Sequence, residues 1–352
     1  MKRNPFTKPN FFSIFRLIQQ GLSRLYHYQR SMRQTWDSAI REQLLHVDEL
    51  MEKSIASNQA ELTEICRHIL DSGGKRMRPG ICILSFLASG GADAEKVIKM
   101  AAAFELIHSA TLIHDDINDD SELRRGAMTA HRKFTVPKAI IAGDYLFVQG
   151  FRLGGAMDET IVNSIADACN AMAEGEFIQS DHERKTGTPI EVYRKIIEGK
   201  TAKPIAAGAR VGSYLADGDS YTIEAMGGYG LNIGLAFQIA DDILDIEGEM
   251  ESTGKQPGID IHEGKPTLPI IMAMEDDIIG PRISEIFALK DKTDDEVQEA
   301  LKLIRSSDVL ERCKKYARDY AHEAKDYLEG IQDSIYRDSL IILADYVVER
   351  NL

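Results

Sequence analysis

Two apolar stretches of this chain run at helical spacing into clustered acid: "LIHSATLIHDDINDD" at 106–120 and "FQIADDILDIEG" at 237–248. Asp115 and Asp119 are four residues apart, so on a helix they share one face a turn apart, with Asp116 about 100° round. Asp241, Asp242 and Asp245 repeat the spacing. Like charges so placed repel and tend to unwind the helix, and the cost grows at the end of an oily run. A divalent cation removes it. Carboxylate oxygens with no Cys or His ligand spacing favour a hard ion, Mg²⁺ above all, which keeps waters and is completed by substrate phosphates. One such cluster alone reads as a solvated helix end. Two matching clusters favour metal, with the helix ends facing each other across a bundle.

Elsewhere the pattern is helical too, as in "RQTWDSAIREQLLHVDELMEKSIA", and few segments alternate with period two. The chain is read as all-α, with about a dozen helices broken at "DSGG", "SGGADA", "RKTGTP", "ADGDS" and "EMESTGKQPGIDIHEGK". None of these breaks is a low-complexity linker, so residues 38–352 are expected to form one domain.

Residues 1–37 are the exception, a basic amphipathic extension. Positions 1–36 carry Lys2, Arg3, Lys8, Arg16, Arg24, Arg30 and Arg33 with no acidic residue, and Phe11, Phe15, Ile18, Leu22 and Leu25 recur at helical spacing. That suits an in-plane helix on an anionic membrane, or an extra helix covering the domain or a subunit contact. The four cysteines, Cys66, Cys82, Cys169 and Cys313, lie far apart without a CxxC pair, and read as small buried hydrophobes of a reducing cytoplasm. No uncharged apolar run reaches the roughly 18 residues that cross a bilayer, so the expected location is cytoplasmic, with peripheral membrane contact through residues 1–36.

Acidic residues outnumber basic ones 56 to 42, which repels nucleic acid and excludes it as an expected partner. Any anion site must therefore be built from a few placed cations. "DSGGKRMRP" packs Lys75, Arg76 and Arg78 into a helix junction, where Gly73 and Gly74 accept the left-handed backbone of a cap. "SELRRGAMTAH" adds Arg124 and Arg125, read as a helical pair that serves two different phosphates. His108, two turns before Asp115, points toward the carboxylates as a phosphate donor. "EGKTAKP" adds Lys200 and Thr201, and Pro204 removes the bond to the Lys200 carbonyl, so a kink should fall there. "STGKQPGIDIHEGKPTLP" supplies Lys255 and Lys265 on a flap that fits a lid over phosphates. Each cluster alone would read as a solvated basic turn; their company with the aspartates argues otherwise.

Together "GGKRMRP", "LIHSATLIHDDINDDSELRRG", "GKTA", "FQIADDILD" and "GKQPGIDIHEGKPTLP" resemble, in order, the motifs of the all-trans isoprenyl diphosphate synthases, over roughly Gly73 to Pro269. Five linked motifs make the resemblance specific. It implies an isoprenoid synthase-type helical bundle around a deep central cavity, assembled as a homodimer. It assigns Asp115, Asp116, Asp119, Asp241, Asp242 and Asp245 to about three Mg²⁺ ions bridging an allylic diphosphate, which Arg124, Lys200, Thr201, Gln238, Lys255 and Lys265 would hold. Lys75, Arg78, His108 and Arg125 would hold isopentenyl diphosphate. The implied reaction is 1'-4 head-to-tail condensation with a primer such as farnesyl or geranylgeranyl diphosphate. Catalysis would rest on Asp115, Asp116, Asp119, Asp241, Asp242 and Lys200. Two departures bear on local geometry: Lys203 and Pro204 stand where relatives commonly carry apolar residues, and Met128 where proline is frequent.

The growing tail would run from the aspartates toward the N-terminal end of their helix. Ala110 and Thr111 are small where short-product members of the family often place an aromatic plug. Ile107 and Phe104 lie further down, Phe104 about 16 Å from Asp115 at roughly 1.5 Å per residue, either as a floor or as core elsewhere on the bundle. A product of about C25 to C40 is expected from that open length, suited to a quinone-like side chain. A shorter C20 product, a subunit of a heteromeric synthase and a helical terpene cyclase are the rival readings; the cyclase would not need a second "DDILD".

Overall fold

A computed structural model describes residues 35–155, 157–248 and 257–349, and among these it has sixteen α-helices. They run as α1 Arg41–Ser54, α2 Ala60–Asp71, α3 Met77–Ala88, α4 Glu95–Asn118, α5 Ala130–Lys133, α6 Val136–Gly154, α7 Glu159–His182, α8 Ile190–Ile197, α9 Lys203–Leu215 and α10 Ser220–Glu247. Then follow α11 Ile259–Glu263, α12 Leu268–Met274, α13 Gly280–Ala288, α14 Asp294–Arg305, α15 Val309–Asp326 and α16 Ile335–Glu349. The N-terminal basic segment, through residue 34, and Lys255 lie outside the described residues.

Local chemistry sets several helix starts. Thr135, Asp158 and Asp219 cap α6, α7 and α10 through their side chains, and Thr293 with Glu296 closes a capping box on α14. Of the two acid-terminated helices, α10, with 28 residues, is the longest helix among the described residues, and α4, with 24, equals α7. Along α4 every residue from Met100 to Ile107 is buried, the mark of a helix surrounded on all sides. It is long and apolar enough to cross a bilayer, yet it packs against α6 and α3 inside the protein. Helix α10 packs against α9 and α15. The packed chain starts before Ser38, because Trp36 is only 6% exposed and belongs to the core.

Three local expectations are corrected. Arg124 and Arg125 do not sit on a helix: Leu123–Arg124 (β1) and Ala127–Met128 (β2) pair antiparallel. Arg125 and Gly126 both take positive φ, 52° and 80°, as a two-residue hairpin turn requires. Second, Gly73 is left-handed but Gly74 is not; Arg76 takes that conformation instead (φ 48°), held by Asp48 at 2.9 Å and Glu105 at 3.0 Å. Third, the break before Pro204 is a π-helical turn, Glu198–Ala202. The missing N–H of Pro204 is absorbed by widening the helix rather than by a sharp bend.

Candidate active site

The C-terminal ends of α4 and α10 approach one space from two sides, and the cations between them prove it. Lys265, just after α11, places Nζ 2.7 Å from Asp119 Oδ2 and 2.7 Å from Glu263 Oε2. Burial alone would depress this lysine, but Asp119 and Glu263 hold its pKa above the ordinary value. On the other side Arg78 is pushed down by burial while Glu105, Asp241 and Asp115 hold it up. Both acid clusters therefore act on the same guanidinium.

Within each cluster the aspartates divide. Asp116 is buried and accepts from Arg124 Nε on both oxygens, at 2.8 and 2.9 Å, and from Nη2 at 2.7 Å. Asp242 is buried too: Tyr193 donates its hydroxyl to Oδ2 at 2.6 Å and Gln238 donates Nε2–H to Oδ1 at 2.9 Å. Asp245 accepts the amides of Ile259 and Asp260, both at 3.1 Å, and so caps α11. Asp115, Asp119 and Asp241 reach the open space with partly or fully exposed side chains. Burial, opposed by Lys200 and reinforced by Glu176 and Asp119, raises the Asp115 carboxyl to about 6. Burial and mutual repulsion likewise raise Asp242 and Asp260. Among the described residues no three acidic, histidine or cysteine side chains form a ready cage.

Cations line the same mouth. Lys200 is ion-paired with Glu176 and donates to Gln179 Oε1 at 3.1 Å. Thr201 donates to Gln238 Oε1 at 2.8 Å. Arg78 Nη1 lies 2.9 Å from His108 Nε2, and a guanidinium only donates, so that ring nitrogen accepts and the ring proton sits on Nδ1. Burial, with Arg78, Arg124 and Arg125, pushes the His108 pKa well below its ordinary value. Arg125 lies against Gly74, where an added Cβ would stand 3.0 Å from Nη1; the hairpin and the glycine loop are thus joined. Lys75 is exposed, its ammonium 5.1 Å above the Tyr346 ring. Lys203 is half exposed and paired with Glu198, and Met128 is 52% exposed, so these two point outward, whereas Pro204 is buried and lines the hollow below.

Below the mouth lies a narrow apolar hollow of about 10 Å³, room for roughly one water. Arg78 and His108 line it at the acidic end, Ala168, Cys169 and Met172 of α7 form a wall, and Ile107 and Phe104 line it further down α4. Phe104 is therefore a lining residue, while Ala110 is fully buried and does not line the hollow. Thr111 spends its hydroxyl on the His108 carbonyl, 2.8 Å away.

Sequence reasoning missed Glu176, Gln179, Tyr193 and Glu263. Glu176, Gln179 and Tyr193 are isolated polar residues whose partners lie more than twenty positions along the chain, whereas Glu263 pairs with Lys265 two residues on. Asp260 stood inside a quoted motif but carried no assignment.

A polyprenyl synthetase family model matches residues 59–304. The chain belongs to the polyprenyl synthetase family. It is 34% identical over 317 residues to a nonaprenyl diphosphate synthase of Mycobacterium tuberculosis, covering 89% of this chain and 94% of that protein. It is 37% identical over 309 residues to a short chain isoprenyl diphosphate synthase of Methanothermobacter thermautotrophicus, covering 86% and 95%. The fold agrees: a polyprenyl synthase of Caulobacter crescentus, solved with calcium and isoprenyl diphosphate, superposes with a TM-score of 0.86 at 34% identity, over 90% of this chain and 97% of that one. The helical bundle is thus that of the polyprenyl synthetases, and the acid-lined mouth above the hollow lies within the matched residues.

Proposed function

We infer that this polyprenyl synthetase condenses isopentenyl diphosphate with an allylic diphosphate, head to tail, at the mouth between the ends of α4 and α10, above the hollow lined by α4 and α7. The observation that carries the reading is the sharing of one mouth by both acid clusters and by two groups of cations, directly above an apolar space.

The donor set fits Mg²⁺. Its ligands are oxygen only, and the raised Asp115 carboxyl marks an anion that its neighbours disfavour and a cation would relieve. Asp115, Asp119 and Asp241 would hold the ions, up to about three with a diphosphate supplying the remaining oxygens. Asp116, Asp242 and Asp245, already engaged by protein donors, would align Arg124, Gln238 and α11 respectively. When bound, the metal neutralises charge that develops on the leaving diphosphate.

The chain's own residues do the rest. Lys200, Arg124, Lys265 and Thr201 bind the allylic head, and Lys255 is assigned there from its motif alone. Arg78, Arg125 and the Nδ1–H of His108 face the isopentenyl diphosphate, with Lys75 at the rim. Fixed donors placed around a departing anion lower the barrier because they need no reorganisation as charge develops. The walls of the hollow exclude water from the allylic cation left as diphosphate departs, and the double bond of the second substrate attacks it. The tertiary cation so formed loses a proton to give an allylic product one C5 unit longer. No protein nucleophile is required.

The run of the hollow past Ile107 to Phe104 supports a product longer than C20, about C25 to C40 for that length of helix. Helix α6 exposes Val136, Ile140, Ile141 and Val148, which supports a homodimer through that face. Contact of residues 1–36 with an anionic membrane, from the cytoplasmic side, remains part of the proposal. The test is purified protein with Mg²⁺, radiolabelled isopentenyl diphosphate and allylic primers of several lengths. Label should enter chains longer than C20. Incorporation only after a second protein is added would show instead a subunit of a heteromeric synthase.

A further inference from the structure

The segment from α8 through the π-turn, Ile190–Ala202, grips α10 at two points, and both grips end on one carboxylate. At its start Tyr193, 3% exposed, donates to Asp242 Oδ2 at 2.6 Å. At its end Thr201 donates to Gln238 Oε1 at 2.8 Å, and Gln238 passes Nε2–H to Asp242 Oδ1 at 2.9 Å. Lys200 stands next to Thr201, and Asp241 next to Asp242. The Asp242 carboxylate is thus the junction that sets the Lys200-bearing turn in register with the acidic end of α10.

A phenol this deep needs a partner, and burial and the neighbouring Asp260 both disfavour the Asp242 anion. Without the Tyr193 hydroxyl the carboxylate loses its donor at Oδ2 and is less constrained about χ2, a broad torsion. Rotation breaks the Gln238 bond and loosens the turn that presents Lys200.

We propose that Tyr193 is a positioning residue of the diphosphate–metal site: it fixes the Asp242 carboxylate and, through Gln238 and Thr201, the placement of Lys200 relative to Asp241. This rests on the function proposed above. It names a group that touches neither substrate nor metal, and for which the motif-bearing stretches of the sequence gave no cue. Outer partners of metal-site carboxylates commonly matter by 10–100-fold in metal affinity.

The test is Tyr193→Phe, which keeps the ring and removes only the hydroxyl. Mn²⁺ binding in the presence of inorganic pyrophosphate is followed by electron paramagnetic resonance, alongside steady-state kinetics. The Mn²⁺ midpoint should rise by roughly 10-fold, with kcat reduced and the KM for isopentenyl diphosphate unchanged. Ile196→Val, on the same buried face of α8, controls for loss of packing: it should lower the melting temperature without moving the midpoint. An unchanged midpoint in folded Tyr193→Phe would overturn the proposal. If the wild type itself failed to bind Mn²⁺ with pyrophosphate, the functional reading would fall instead. Should Tyr193→Phe not fold, 3-fluorotyrosine placed at position 193 reports the same contact. Its ¹⁹F resonance should move in step with Mg²⁺ and pyrophosphate occupancy, and a resonance that stays fixed would also overturn the proposal.

Discussion

Lys265 and Asp119 form a 2.7 Å ion pair across the mouth of the hollow. The lysine follows the second acid cluster and the aspartate closes the first, so this bond joins the two halves of the site. Both side chains are less than one-fifth exposed, which limits screening by solvent. Lys265→Met should lower kcat about 10²-fold, the usual effect of removing one fixed donor to a developing anion. Steady-state rates with saturating isopentenyl diphosphate check this, and a loss under threefold would mean that Lys265 only closes the loop.

Asp115 gives a pH prediction of definite sign. Its folded pKa of about 6 lies above the unfolded value near 3.9, so between these pH values the native state binds the extra proton and stability falls as pH rises. Asp115→Asn should therefore stabilise the metal-free protein at pH 7.5 by on the order of 2 kcal/mol. The gain should shrink as pH drops through 6 and vanish near 4. Chemical denaturation across that range measures it; a variant less stable than wild type at pH 7.5 would contradict the assignment.

Asp116 should behave in the opposite way. It is the buried partner of Arg124, and removing one member of a buried pair strands the other charge. Asp116→Ala should cost about 3 kcal/mol of stability at neutral pH, without dependence on added Mg²⁺. The contrast between neighbouring aspartates separates a carboxylate that faces the ion from one that anchors an arginine.

Legibility in the sequence followed the range of the interactions. Helical periodicity depends on neighbours within a turn, and the all-helical reading agrees with the structure. The hairpin at Arg124–Arg125 was missed because two basic residues carry no turn signal until Gly126 is paired with a left-handed Arg125. Tyr193 and Glu176 were invisible for another reason: their meaning lies in Asp242 and Lys200, and a linear pattern does not encode which distant side chains meet. Asp242 and Asp245 were recognised as acidic without any hint that protein donors already engage them.

Phe104 and the α7 wall give a prediction on product length. Phe104→Ala extends the hollow and should lengthen the product by at least one C5 unit, while Ala168→Phe fills it and should shorten the product. Reversed-phase separation of dephosphorylated products reads both. Because Ala110 faces packed core rather than the hollow, Ala110→Tyr, which a tail path beside Ala110 would make a length switch, should mainly destabilise the protein through overpacking.

Diffraction from crystals grown with Mn²⁺ and inorganic pyrophosphate, recorded at the manganese edge, addresses the shared site most directly. Anomalous peaks should lie within about 2.3 Å of oxygens from Asp115 or Asp119 and also from Asp241, with one pyrophosphate bridging them. Manganese confined to one cluster, or pyrophosphate bound away from both, would contradict a single diphosphate site between α4 and α10.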